Sequence, residues 1–274
     1  EYVPRTSANV NIEELIESAE RVEKGVALTP EFDQALFHGS SIGGARPKAL
    51  VQEQGIKYVA KFSSTTDLYS VVKAEFIAMR LAELAGLNIA PVKLAKAANK
   101  DVLLIERFDR VPKGEKWARK AMVSALTLLQ LDDMMARYAS YEELSEIIRH
   151  RFTDPKHTLK ELFSRLVFNI LCGNTDDHAR NHAAFWDGKT LTLTPAYENC
   201  PQGRTGNEAS QAMLISGDNT LSQLTTCLET AHNFLLSEEE AREIFGNLMA
   251  TIEQHWETVC EEAELNEVDK KLLW

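Results

Sequence analysis

The sequence predicts an α+β fold of two lobes, a small β-rich N-terminal lobe over 1–108 and a mainly helical C-terminal lobe over 109–274. Three observations carry this. The first 105 residues alternate short strand-like runs with one long helix. After Phe108 the apolar spacing becomes helical almost throughout. Residues 174–181, polar at nearly every position, lie between a strongly apolar helix and a short hairpin. A length of 274 residues suits two lobes sharing a cleft better than one simple domain.

Residues 11–24 have the spacing of a short amphipathic helix, with Asn11 as cap and Glu14 at the capping-box position. A glycine- and serine-rich segment runs from Phe37 to Lys48. Strands are expected at 49–52 and 58–62, joined by a turn at Gln54-Gly55. Leu68, Val72, Phe76, Met79 and Leu84 predict a helix over 68–85, which Gly86 ends. Strands at 92–97 and 102–105 form a hairpin around Asn99-Lys100-Asp101.

In the second lobe, helices are expected at 118–137, 141–152, 158–172, 219–235 and 238–262. Capping boxes stand at Ser140/Glu143 and Ser237/Glu240. The only strands expected there are 183–186 and 190–193, turned by Asp187-Gly188. There is no internal repeat and no low-complexity segment.

Composition narrows the function classes. With 44% hydrophobic and 26% charged residues the chain reads as an ordinary soluble globular protein. A net charge of −11 argues against wrapping nucleic acid unaided, though a basic protein partner could supply that. Cys172, Cys200, Cys227 and Cys260 show no metal or disulfide spacing and suit a reducing, cytoplasmic compartment with buried thiols. No apolar run reaches the roughly 18 residues of a membrane span, and no signal-peptide pattern is present. The first residue is Glu1 rather than Met, which points to a preceding segment.

The candidate chemistry begins at Asp176 and Asn181. In kinases an Asp accepts the proton of the substrate hydroxyl, and an Asn five residues later holds Mg²⁺. The same spacing occurs here. Alone it is a weak signal, since polar residues at the end of a buried helix are often a cap. It gains specificity from the hairpin at Trp186-Asp187-Gly188-Lys189 and the acid Glu198 that follow. Asp177 reads as a solvated loop carboxylate, with a second catalytic acid as the alternative. His178 reads as a structural histidine that orients the loop, because no His or Cys stands at metal-site spacing.

Lys61 projects from an apolar strand, where a lysine has a role if an anion meets it. In kinases the anion is the nucleotide's phosphates and a helix glutamate steadies the lysine, a position Glu75 can take. The alternative is an edge-strand lysine in solvent. In the segment 41–48, Gly43 and Gly44 allow close backbone approach to phosphate, and Arg46 and Lys48 add positive charge. Phosphorylation of Ser40 or Ser41 would set about −1.5 to −2 charges over that site and oppose nucleotide binding. Glu106-Arg107-Phe108-Asp109 stands where a two-lobed kinase places its hinge, although a simple strand exit predicts the same residues.

Four motifs in order resemble the HipA-like serine/threonine kinases, the toxin halves of bacterial toxin–antitoxin pairs. They are Ser41-Ile42-Gly43-Gly44-Ala45-Arg46-Pro47-Lys48, Glu106-Arg107-Phe108-Asp109-Arg110, residues 174–181 and Leu193-Thr194-Pro195-Ala196-Tyr197. The resemblance runs from about residue 36 to the C-terminus. It implies a protein-kinase-like two-lobed fold and transfer of the ATP γ-phosphate to a protein hydroxyl with Mg²⁺. In the best-known member the target is an aminoacyl-tRNA synthetase. By motif, Asp176 resembles the catalytic base, while Asn181 and Glu198 take the metal positions. Gly43, Gly44, Ala45, Arg46, Lys48, Lys61, Glu106, Phe108, His178 and Tyr197 take nucleotide positions. Ser41 matches the autophosphorylation serine, with Ser40 beside it. The implied partner is a small helix-turn-helix antitoxin, HipB-like, which would bring DNA binding. The small N-terminal subdomain usual in the family is absent or truncated.

Glu198 departs from the family pattern, which has Asp after Leu-Thr-Pro-x-Tyr. One added methylene moves the carboxylate by about 1.5 Å, and Mg²⁺ demands near-octahedral geometry. A slowed kinase, a nucleotide-binding pseudokinase acting as scaffold, and a sequence altered to tame a toxic protein all fit this departure. A direct DNA-binding or nuclease role fits the acidic charge poorly.

Overall fold

The structure, a computed structural model, describes residues 48–63, 67–97, 100–114, 116–203, 206 and 208–273. The expected helix at 11–24 lies outside the described residues, as do Ser40, Ser41, Gly43, Gly44, Ala45 and Arg46. The chain divides into two compact units. Of the described residues, the first takes those up to Phe76 and Pro91–Arg107, and the second takes Ile77–Ala90 and those from Phe108 onward.

The first unit is built on an antiparallel sheet of β1 (Lys48–Glu53), β2 (Ile56–Phe62), β3 (Val92–Ala97) and β4 (Lys100–Glu106), in the order β1-β2-β4-β3. The expected turn joins β1 to β2. Gln54 and Gly55 have φ of 49° and 78°, the left-handed pair that suits the twist of a two-residue hairpin. Strand alternation sorts the side chains. Ala49, Val51, Tyr58, Ala60, Phe62, Val102 and Leu104 pack as one apolar cluster. Lys61, out of step with Ala60 and Phe62, faces the other way and pairs with Leu103 on β4.

Helix α1 (Val71–Leu84) starts in this unit, with Val72 and Ala74 buried. It is shorter than the expected 68–85, because Leu68 is 95% exposed and outside the helix. Its last turns belong to the second unit. There Gly86, at φ 83°, closes the helix: Leu87 N–H donates to Ala82 (3.1 Å) and Gly86 N–H to Glu83 (2.9 Å).

The second unit differs most from expectation over 118–137, which does not form one helix. β5 (Arg110–Lys113) pairs with β6 (Lys116–Arg119). β7 (Ala121–Ser124) pairs with β8 (Ala183–Trp186), which pairs with β9 (Leu191–Leu193). Helix α2 is confined to Ala125–Leu128, capped by Ser124. The alanines, methionines and leucines that favour a helix locally are overruled by backbone pairing to a strand some sixty positions away. The β8–β9 connection also differs. Trp186 pairs with Leu191, and the Asp187 side chain accepts from the amides of Lys189 and Thr190, both 2.8 Å, so an Asx turn replaces a two-residue loop.

The helices that frame the loop match expectation closely. α3 (Tyr141–Arg151) is capped by Ser140. α4 (Pro155–Leu171) has Asp154 as cap and Pro155 at its first turn. Leu159, Leu162, Phe163, Leu166, Val167 and Phe168 of α4 are fully buried, each contributing roughly 1.5–3 kcal/mol by leaving water. The expected helix at 219–235 reduces to α5 (Leu224–Thr230) and a 3₁₀ turn at Ala231–Phe234. α6 (Glu238–Glu262) carries the complete Ser237/Glu240 capping box, and α7 (Glu267–Leu273), not foreseen, follows. No helix of the described residues is long and apolar enough to cross a membrane.

Candidate functional site

In the first unit, β2 and α1 bring Lys61 and Glu75 together. The Lys61 ammonium lies 2.5 Å from Glu75 Oε1, with the two residues 5% and 3% exposed. Two charges this deeply withdrawn from water persist only when paired. Lys48 stands directly opposite Lys61 in the β1–β2 register, on the same face, and is 6% exposed.

Glu106 ends β4. Its amide donates to Pro91 (2.9 Å), and the next amide, of Arg107, donates to Lys57 (2.8 Å). Both amides are thus engaged by neighbouring main chain. Phe108, which opens the second unit, contacts the Tyr197 ring at 5.6 Å and the Phe185 ring at 5.8 Å. Two nominated nucleotide residues are thus brought together there.

The loop after α4 holds the remaining candidates. Asp176 is exposed and Asn181 is buried. The Asn181 side-chain amide donates to the Asp176 carbonyl at 3.2 Å, so its Oδ1 is the atom that could ligate a cation. His178 is half-buried, and its N–H caps the same Asp176 carbonyl at 3.0 Å. Its buried Nδ1 has no hydrogen-bond partner, which fits a residue that completes its bonding with a ligand.

Asp177 corrects the sequence reading. It is no solvated loop carboxylate but 2% exposed, with Oδ2 accepting from the Tyr141 hydroxyl and lying 3.2 Å from His182 Nε2. Burial pushes its carboxyl up, but His182, Tyr141 and Asn169 outweigh that and hold it below the usual range. Tyr141 moves the other way. Burial first and the Asp177 charge second push its phenol well up.

Glu198 is reached through the main chain. A parallel bridge pairs Ile89 with Ala196, and Arg165 of α4 donates to the carbonyls of Asn88 and Thr194, both at 3.0 Å. Tyr197 donates its hydroxyl to the Arg180 carbonyl at 2.6 Å, tying this segment to the loop. Burial, then Glu198, pushes the Tyr197 phenol upward, so it stays a donor. The Asn174 amide reaches the Glu198 carbonyl at 3.5 Å.

Sequence reasoning missed Asn169. This buried residue of α4 accepts on one Oδ1 from Asn174 (3.0 Å) and Asn199 (2.7 Å). A polar residue among Leu166, Val167, Phe168 and Ile170 was the available signal.

As for a divalent cation, the Asn181 carboxamide oxygen and the Glu198 carboxylate are hard oxygen donors. Among the described residues no group of three or more His, Cys, Asp or Glu forms a cage.

Residues 40–256 match the sequence profile described as the HipA-like C-terminal domain. The chain belongs to that family. Among relatives of this HipA-like domain, the serine/threonine-protein kinase toxin HipA of Shewanella oneidensis is 24% identical over 182 residues, 58% of this chain and 42% of that protein. Y4mE of Sinorhizobium fredii, named as a kinase on provisional grounds, is 26% identical over 145 residues, 51% of this chain and 33% of its own. The HipA-like chain thus spans a third to about half of the curated relatives it matches.

Two solved structures share the fold. The Shewanella oneidensis HipA, in complex with HipB and operator DNA, superposes with a TM-score of 0.75 at 21% identity, covering 94% of this chain and 67% of that one. The Helicobacter pylori proinflammatory kinase CtkA gives 0.54 at 16%, covering 81% and 93%. The fold of this HipA-like chain is therefore the α+β fold of those kinases.

Proposed function

We propose that this chain is the phosphotransferase part of a HipA-like serine/threonine kinase, moving the γ-phosphate of ATP to a protein hydroxyl. The observation that carries the proposal is the buried Lys61–Glu75 pair, with Lys48 across the strand. A lysine held this way presents a fixed positive charge to nucleotide phosphate.

In the second unit Asp176 accepts the proton of the Ser or Thr hydroxyl. The hydroxyl oxygen forms its bond to the γ-phosphorus as the bond to the β–γ bridging oxygen breaks, leaving ADP. Asn181 and Glu198 would hold Mg²⁺, which neutralises charge on the phosphate oxygens. Asn181 also steadies the loop through the Asp176 carbonyl. Tyr197 and Phe108 offer apolar ring surface to the nucleotide, and His178 offers its Nδ1. The acceptor in trans is a protein, with an aminoacyl-tRNA synthetase the first candidate. The acceptors in cis are Ser41 and Ser40. A HipB-like helix-turn-helix antitoxin is the proposed partner, and a cytoplasmic location goes with it.

The test is transfer of labelled phosphate from ATP to the protein itself or to a synthetase. Transfer abolished by Asp176→Asn supports the reading, and transfer that survives it overturns the role of Asp176. Glu198 favours a second reading, a nucleotide-binding scaffold. ATP binding without transfer, in both wild type and Glu198→Asp, would select it.

A further inference from the structure

Asp176 and Asp177 are neighbours in sequence with opposite surroundings. One carboxylate is exposed, and the other is 2% exposed within the second unit. His178 N–H donates to the Asp176 carbonyl at 3.0 Å and closes a three-residue turn centred on Asp177, so fixing the Asp177 side chain fixes the direction of Asp176. Asp177 is fixed from three sides. The Tyr141 hydroxyl donates from the first turn of α3, His182 Nε2 lies at 3.2 Å beyond the loop, and Asn169 of α4 stands beside it. Tyr141 is itself 0% exposed and packs edge-on against the His182 ring at 5.5 Å.

The same network reaches the metal position. Asn169 Oδ1 accepts from Asn199, the residue after Glu198, and from Asn174, whose amide also contacts the Glu198 carbonyl. We propose that Asp177 is a positioning residue for phosphoryl transfer. Its carboxylate, held by Tyr141 and His182 beside Asn169, turns Asp176 outward and registers the loop against the main chain at 198–199. Asp177 does not touch substrate, and it acts through Asp176. The proposal rests on the kinase reading for its consequence in rate, and on geometry alone for its consequence in loop order.

The experiment uses the whole chain with Asp177→Asn and Tyr141→Phe, read in two ways. In steady-state transfer, Asp177→Asn is expected to lower kcat by about 100-fold, as a displacement of about 1 Å does, with KM for ATP within about threefold of wild type. Tyr141→Phe keeps the carboxylate and removes one of its bonds, and is expected to lower kcat by about threefold to tenfold. In hydrogen exchange by mass spectrometry without nucleotide, the peptide spanning 174–181 should exchange faster in Asp177→Asn while β8 and β9 stay protected. A folded Asp177→Asn protein with wild-type kcat overturns the proposal, as does unchanged exchange over 174–181. If Asp177→Asn does not fold, Tyr141→Phe decides by the same two readouts. Wild-type protein that transfers no phosphate sinks the kinase reading instead, and the exchange measurement then decides the positioning claim by itself.

Discussion

Arg165, 2% exposed, donates to the carbonyl of Thr194 at 3.0 Å and to Glu161 Oε1 at 2.7 Å. A core helix thereby holds the strand exit that leads to Tyr197 and Glu198. The guanidinium suits this place because its planar fork serves a carboxylate and two carbonyls at once. Arg165→Met would fit the space but leave Glu161 and both carbonyls without this donor. The expected loss is about 3–5 kcal/mol, the range for breaking a buried charge pair, read by urea denaturation.

The Lys61–Glu75 pair separates stability from function. Lys61→Met or Glu75→Leu alone breaks a buried ion pair, with an expected cost of about 3–5 kcal/mol. The double variant removes both charges and is expected to regain most of that stability while ATP affinity stays lost. Thermal unfolding with and without ATP gives both quantities. Recovery of ATP-dependent stabilisation in the double variant would remove Lys61 from the nucleotide site.

Glu198→Asp shortens the reach of the carboxylate without changing its charge. An increase in phosphate transfer of about 10-fold to 100-fold is expected, since about 1 Å of misplacement carries about that factor. Initial rates at saturating ATP check it.

Asp177 sets an acid limit on stability. Its folded carboxyl titrates below the usual 3.8, so above that value the unfolded state binds the proton more readily than the folded one. The stabilisation is fully present at neutral pH and is lost as pH falls through the folded value. Denaturation midpoints measured from pH 6 down to about pH 2.5 should fall in the wild type. Asp177→Asn should lack that component.

The four thiols should react in two classes. Burial pushes Cys227 up to about 12 and, as the leading cause, Cys260 up to about 11. Both are thus almost entirely thiol at pH 8. Cys172 and Cys200 are half-buried. Brief iodoacetamide treatment of folded protein should label Cys172 and Cys200 first, as read by peptide mass spectrometry.

Legibility in the sequence followed the range of the forces involved. α6 could be read because its Ser237/Glu240 box acts within one turn, and α4 because its apolar stripe declares itself locally, although its start at Asp154-Pro155 lies three residues before the expected one. The β1–β2 turn was equally local, at Gln54-Gly55. β7 was not, because Ala121 and Met122 look helical until β8 arrives to pair with them. The spacing of Asp176, Asn181 and Glu198 suggested the chemistry proposed above. The burial of Asp177 could not be read, since it depends on Tyr141 and Asn169 meeting across three elements.

Asn169 has a consequence for how this chain can change over time. Its oxygen accepts from the amides of Asn174 and Asn199 beside the Asp177 carboxylate, so the position needs an acceptor that carries no charge. Aspartate would supply the acceptor but set a second carboxylate against the first, and serine or histidine cannot span both amides at once. An exchange of Glu198 for aspartate keeps the charge and alters only reach. The residue slowest to drift in a lineage of such chains should therefore be the inconspicuous amide beneath the loop, ahead of the acid that stands over it.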